Sequence, residues 1–231
     1  MYIPLFDIDG TLLKGGGGNQ AHKNGGSYAF RTVYGLDDKA CWDNIITDGK
    51  IDKQIILEVV EKNGISHKKA LAKLDEAIDA TTSYYLEHSN EGTCIAADGA
   101  IELLEELQKQ NVPLGLLTGN IEAIGIDKLS KAGLAKYFEF GAFGNLALRR
   151  VDLIEIARER AIKLVGLQMT TSKFMIIGDS TLDVKCAKDG NIPVIGVSTA
   201  KSSSQELAEA GADLVVESLL QKDDIVKFIL D

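Results

Sequence analysis

Two aspartates, Asp7 and Asp9, follow the apolar run 2–6 in the order Asp7-Ile8-Asp9-Gly10-Thr11. A second acidic pair follows the apolar run 174–177, in Gly178-Asp179-Ser180-Thr181-Leu182-Asp183. Between them, Thr118-Gly119-Asn120 closes the run 114–117, and Arg149-Arg150 comes a short loop after the stretch 138–143. Each group alone is a weak signal: D-x-D is commonly a solvated turn, and T-G-N a turn before a helix. Their chemistry nevertheless converges. Four carboxylates at one place repel one another and any anion. A hard divalent cation such as Mg2+, which takes carboxylates, carbonyls, waters and phosphate oxygens, resolves that conflict. Thr118 adds a hydroxyl donor, Gly119 allows close backbone approach, and an arginine can bind a phosphate with two parallel bonds.

The elements around these groups explain why they would meet. Short apolar runs over 2–6, 114–117, 138–143, 174–177, 193–197 and 214–216 read as strands. They alternate with helical segments near 101–108, 121–133, 153–166, 181–188, 204–210 and 218–229. Strand–helix alternation predicts an α/β fold, a Rossmann-like parallel sheet with helices on both faces. In such sheets ligands bind beyond the carboxyl ends of the strands, and every group named above follows a strand. The stretch from about 19 to 90 contains little strand character. Ile51, Ile55, Ile56, Val59 and Val60 share one helical face, and Leu71, Leu74 and Ile78 repeat the spacing. An inserted helical domain over 15–93 is therefore expected, leaving 1–14 and 94–231 as the α/β core. The four glycines 15–18 suit a hinge between them, with a second hinge near 89–93.

Composition removes several classes. The 231 residues are 45% hydrophobic and 26% charged, ordinary for a globular chain that buries a core without staples. With 25 Lys+Arg against 34 Asp+Glu the net charge is −9. That lacks the basic footprint of a nucleic-acid binder and the polybasic patch of a membrane anchor. Cys41, Cys94 and Cys186 are widely spaced, which fits free thiols in a reducing compartment. No apolar run approaches the roughly 20 residues of a membrane span, and the first residues do not form a secretory signal. A cytoplasmic protein is expected, with no nucleic-acid or membrane partner; monomer and homodimer both remain open.

Taken together and in order, these motifs make the chain resemble the haloacid dehalogenase (HAD) superfamily phosphatases. Phe6-Asp7-Ile8-Asp9-Gly10-Thr11 matches the family's D-x-D-G-T, and a helical insert after it is the place of a type 1 cap. The resemblance covers the whole chain and points to phosphoglycolate phosphatase-like members. It implies Mg2+-dependent hydrolysis of a small phosphorylated metabolite through an aspartyl-phosphate. Asp7 would be the nucleophile and Asp9 the general acid and base. The Mg2+ ligands would be the Asp7 carboxylate, the Asp9 carbonyl and Asp179. Asp183 would be a further ligand or a partner of one. Thr118, Gly119, Asn120 and the N–H groups of the helix starting near Ile121 would receive the phosphate; Thr118 is equally a helix N-cap. The chain departs from the family at the third motif, where a lysine is usual. Arg150, or less well Arg149, stands in that region.

A capping domain would exclude water and contact the leaving group. Its candidate specificity segment is 48–52, with Lys50 either reaching the substrate or serving as a helix-start charge. His22, Lys23 and Trp42 are further candidates, while His67 and His88 read as surface residues. Phosphoglycolate and sugar phosphates are the substrate classes in view. Two other activities fit the same fold: a phosphomutase of the β-phosphoglucomutase kind, and a non-catalytic binding or regulatory role. A haloacid dehalogenase needs neither Mg2+ nor the acid at Asp9, and a P-type pump needs membrane spans.

Overall fold

The computed structural model describes residues 1–15, 19–47, 49–166, 173–199 and 201–231. Six strands form one sheet: β1 (Ile3–Phe6), β2 (Gly115–Leu117), β3 (Phe140–Ala142), β4 (Phe174–Gly178), β5 (Val194–Val197) and β6 (Leu214–Val216). Their order is β3-β2-β1-β4-β5-β6, and every pairing is parallel. This is the doubly wound order, in which the chain reverses direction at β1. The register places Phe6 opposite Leu116 and Ile177, so the residues after β1, β2 and β4 leave the sheet side by side. The strands β1, β2, β4 and β5 are wholly buried, as strands covered on both faces must be.

Helices α5 (Ala100–Lys109), α6 (Glu122–Lys131), α7 (Asp152–Val165), α8 (Thr181–Asp189), α9 (Ser204–Glu209) and α10 (Lys222–Leu230) complete the α/β part. Its apolar interior falls into two clusters, one for each face of the sheet. Phe6, Leu103, Leu107, Met175 and Ile225 belong to the first; Leu5, Leu153, Ile176 and Val184 to the second.

The intervening segment is helical, as its pattern predicts: α1 (Asn19–Thr32), α2 (Asp52–Lys62), α3 (His67–Ala72) and α4 (Leu74–His88). These helices hold a third cluster, including Phe30, Trp42, Ile56, Val60 and Tyr85, which Ile121 and Ile124 of the α/β part also join. One detail differs from the sequence reading. The helix breaks at Lys73, where φ −116° and ψ 7° interrupt the ladder. The phase shifts there, so Leu71 is exposed and Ala70 is the buried residue of α3. His88 is half-buried and stacks on Tyr84 at 4.1 Å between ring centroids. Among the described residues no helix is long and apolar enough to cross a membrane.

Candidate functional site

The ends of β1 and β4 bring three aspartates together: one oxygen each from Asp7, Asp179 and Asp183 lies within 4.8 Å of the others. All three residues are buried. Asp179 and Asp183 are fully so, which is where an unpaired charge is most costly. Asp183 spends both oxygens inside the protein. Its Oδ1 accepts from Arg150 Nη2 at 2.5 Å, and its Oδ2 accepts from Ser180 N and Ser180 Oγ. Asp179 differs. Its Oδ1 accepts from Thr11 Oγ1 at 3.0 Å, while its Oδ2 has no hydrogen-bond donor. Gly10, at φ +95°, leaves room for that oxygen: a Cβ there would lie 2.2 Å from Asp179 Oδ2. An orphaned, fully buried carboxylate oxygen beside Asp7 is a donor set that fits a hard divalent cation.

Charge distribution follows from these contacts. Burial pushes the Asp7 carboxyl up; Arg150 opposes it and Asp183 adds to it. Burial also lifts Asp179, to about 7, against the pull of Lys201 and with the help of Asp7 and Asp183. This carboxyl binds its proton more tightly in the native state than in the unfolded chain, where its value is 3.8. Stability therefore falls as pH rises from about 4 to 7. Replacing Asp179 by Asn removes that loss. In metal-free buffer, the stability of Asp179→Asn relative to wild type is expected to grow by about 3 kcal/mol between pH 5 and pH 8. Urea unfolding at the two pH values reads it; a difference independent of pH would show that Asp179 is not held protonated.

Arg150 stands at the centre of the site. Its Nη2 lies 3.3 Å from Asp7 Oδ1, and its Nη1 donates to Gly49 O, on the helical insert, at 3.2 Å. Burial works against its charge, but Asp183 and Asp7 raise its pKa above the ordinary value. Arg149 points elsewhere, pairing with Asp152 on the surface. Thr118 is fully buried and its Oγ1 accepts from Asn120 Nδ2 at 3.0 Å. It does not cap α6. That helix begins at Glu122, and two N–H groups at its start are taken: Ile121 N donates to Asp52 Oδ2 at 2.7 Å and Glu122 N to Asn145 Oδ1 at 2.9 Å. The expectation that these N–H groups are free for phosphate is thus corrected by two side-chain acceptors, Asp52 and Asn145.

The Asp9 carboxylate joins a polar network. It accepts from Lys128 Nζ at 2.9 and 3.1 Å and from Asn120 Nδ2 at 2.8 Å. Burial alone would raise its pKa, yet Lys128 and Asn120 bring it below the usual carboxylate value. Lys128 is fully buried and also donates to Asn120 Oδ1. The Asp9 carbonyl accepts from Lys201 Nζ at 2.6 Å. Neither lysine is among the residues singled out from the motifs. Lys128 shares the inward face of α6 with Ile124 and Leu129, an unusual address for a lysine. Lys201 follows β5 as the other groups follow their strands.

The helical insert closes over this edge. Asp52 N donates to Gly119 O at 2.9 Å, and a Cβ on Gly119 would meet Lys50 O at 2.2 Å, so glycine alone allows the approach. Between the two parts lies a cavity of about 130 Å3. Asp7, Asp9, Thr118, Arg150 and Lys201 line one side. His22, Lys23, Trp42, Lys50 and Asp52 line the other. His22 Nε2 lies 3.0 Å from Asp52 Oδ2, and its ring packs on Trp42 at 4.8 Å. Lys50 is paired with Glu58 and Lys23 with Asp43. Asp48, in the predicted specificity segment, and the glycines 16–18 lie outside the described residues.

Comparison with known proteins gives the family. The chain is 23% identical over 228 residues to the phosphoglycolate phosphatase of Shigella boydii, covering 93% of this chain and 88% of that protein. It is 24% identical over 230 residues to the phosphoglycolate phosphatase of Escherichia coli K12, with the same coverage. Among solved structures it superposes on a predicted phosphatase of Clostridium acetobutylicum with TM-score 0.71 at 24% identity, covering 98% of this chain and 99% of that one. Residues 47–197, more than half of the chain and including Thr118, Arg150, Asp179 and Asp183 but not Asp7, Asp9 or Lys201, match the model of one family, and the protein belongs to it: the haloacid dehalogenase-like hydrolases.

Proposed function

We propose that the protein is a Mg2+-dependent phosphomonoesterase acting on a small phosphorylated metabolite, with residues 15–93 as a cap over a core formed by 1–14 and 94–231. The observation that carries this reading is Asp7 set between the Arg150 guanidinium and the orphaned oxygen of Asp179. A carboxylate so placed has a cation on one side and room for a metal on the other, the surroundings an attacking group needs to approach an anionic phosphate. Asp7, the Asp9 carbonyl and Asp179 would hold Mg2+. When bound, the ion neutralises phosphate oxygens and the carboxylates around them.

The chain's own residues carry the steps. Asp7 attacks phosphorus and the ester oxygen leaves, giving an aspartyl-phosphate. Asp9, held ionised by Lys128 and Asn120, must take up a proton from solvent before it can pass one to the leaving oxygen; ionised again, it removes one from the water that hydrolyses the intermediate. The contacts to Lys128 and Asn120 favour the ionised form of Asp9, which is the form the second step needs. Arg150 faces the phosphoryl oxygens with charge that does not titrate. The Asp52–Gly119 contact ties the helical insert to the loop after β2, beside the cavity. The cavity is well below the roughly 300–1,000 Å3 of drug-sized ligand sites, and cationic groups line both its walls. A substrate of two or three carbons bearing a second polar or anionic group, such as phosphoglycolate, fits that lining best, in keeping with the names of the curated relatives.

Phosphate release from a panel of small monoesters, in Mg2+ and in EDTA, tests the reading. Turnover is expected on short carboxylated or polyhydroxy phosphates and to fall by at least about 100-fold in EDTA. Isomerisation of a sugar phosphate, stimulated by a sugar bisphosphate, would instead establish a mutase.

A further inference from the structure

Lys201 reaches the site by construction. The loop after β5 is tied to the Asp7–Thr11 loop by Thr199 Oγ1, which donates to Gly10 O at 2.8 Å. It is closed on itself by Ser198 Oγ, which donates to Ser202 O. These bonds bring the Lys201 ammonium to the Asp9 carbonyl at 2.6 Å and to within 3.7 Å of Asp179 Oδ2. Those two oxygens are also two of those that face a bound divalent cation in the reading above. The second is buried and accepts no hydrogen bond, so the ammonium answers its charge without satisfying its lone pairs.

We propose that Lys201 is a built-in competitor of the metal: its ammonium holds the Asp9 carbonyl and faces Asp179 in the metal-free protein, and a divalent cation binds only by displacing it. The inference rests on the reading of Asp7, the Asp9 carbonyl and Asp179 as a cation site. The geometry supports it in three ways. A cation bound by Asp9 O and Asp179 Oδ2 would sit beside an ammonium that lies 2.6 Å from the first of these oxygens and 3.7 Å from the second, and like charges brought that close repel. The lysine stem is long and its side chain is 26% exposed, so a way out to solvent exists. Thr199 and Ser202, on either side of it, are held by hydrogen bonds, so the side chain is the part free to move. The consequence is a weakened metal affinity together with a metal-free state that is not left with uncompensated acids.

Two measurements test this on the intact protein. Amine acylation read by mass spectrometry reports how available Lys201 is; Mg2+ is expected to raise its labelling several-fold, with Lys222 as an internal reference. Mn2+ binding followed by electron paramagnetic resonance reports affinity. Lys201→Met, and Lys201→Gln as a second variant, are expected to bind Mn2+ about tenfold more tightly than wild type. Labelling unchanged by Mg2+, or affinity not increased in both variants, overturns the proposal. A third result is separable from these: if wild type binds no more Mn2+ than Asp179→Asn, the cation site itself is wrong, and the proposal falls with it.

Discussion

Replacing Asp7 by Asn is expected to lower phosphate release by at least about 10^4-fold while leaving the protein folded. The amide keeps the size of the carboxylate but cannot attack phosphorus, so the covalent route closes rather than slows. Stability should hardly suffer. Burial raises the pKa of Asp7, so its ionised form is a cost to the native state at neutral pH, and a neutral side chain relieves that cost. Against this, Arg150 loses one of its two carboxylate neighbours, though Asp183 remains. The two effects oppose each other, and a thermal midpoint within about 3 °C of wild type is expected. Steady-state turnover and a calorimetric scan on the same preparation check both halves. Activity remaining at the per cent level, in a variant shown by mass spectrometry not to have reverted by deamidation, would mean that water attacks the ester directly.

The fold and part of the site are legible in the sequence for the same reason. Apolar runs bounded by polar turns identified all six strands, and the rule that ligands sit beyond strand ends then gathered Asp7, Thr118, Arg150, Asp179 and Asp183 at one edge. Most boundaries moved by a residue or two, and the last helix, expected over 218–229, starts only at Lys222, after a turn. The strand expected over 138–143 is shortened to β3, the three residues that pair with the three of β2. What was not legible depends on docking. Lys128 meets Asp9 across 119 positions of sequence, and nothing local to α6 announces that an acid lies opposite. Asp52 and Asn145 cap α6 from the helical insert and from the loop after β3, so the occupied state of its first N–H groups is a tertiary fact. Lys201 is the exception. It follows β5 as the others follow their strands, and the same rule applied to the fifth strand reaches it.

Arg150 carries the next largest expected effect, and on two readouts. Arg150→Ala should reduce turnover by about 10^3-fold, the scale of losing a preorganised donor to developing charge. It should also destabilise the protein by about 3–5 kcal/mol, since Asp183 is fully buried and Asp7 nearly so, and each would lose its cation. Arg150→Lys separates the roles. A lysine restores one positive charge but not a planar fork, so it cannot face Asp7 and Asp183 and also donate to Gly49 O as the guanidinium does. Most of the stability should return with the charge, while KM should stay raised because the bond to the helical insert is lost. Urea unfolding and full saturation curves for the two variants measure this. If Arg150→Ala keeps turnover within about threefold of wild type, the phosphoryl charge is met elsewhere in the site, and Lys201, the nearest other cation to Asp9 O and Asp179, becomes the group to examine.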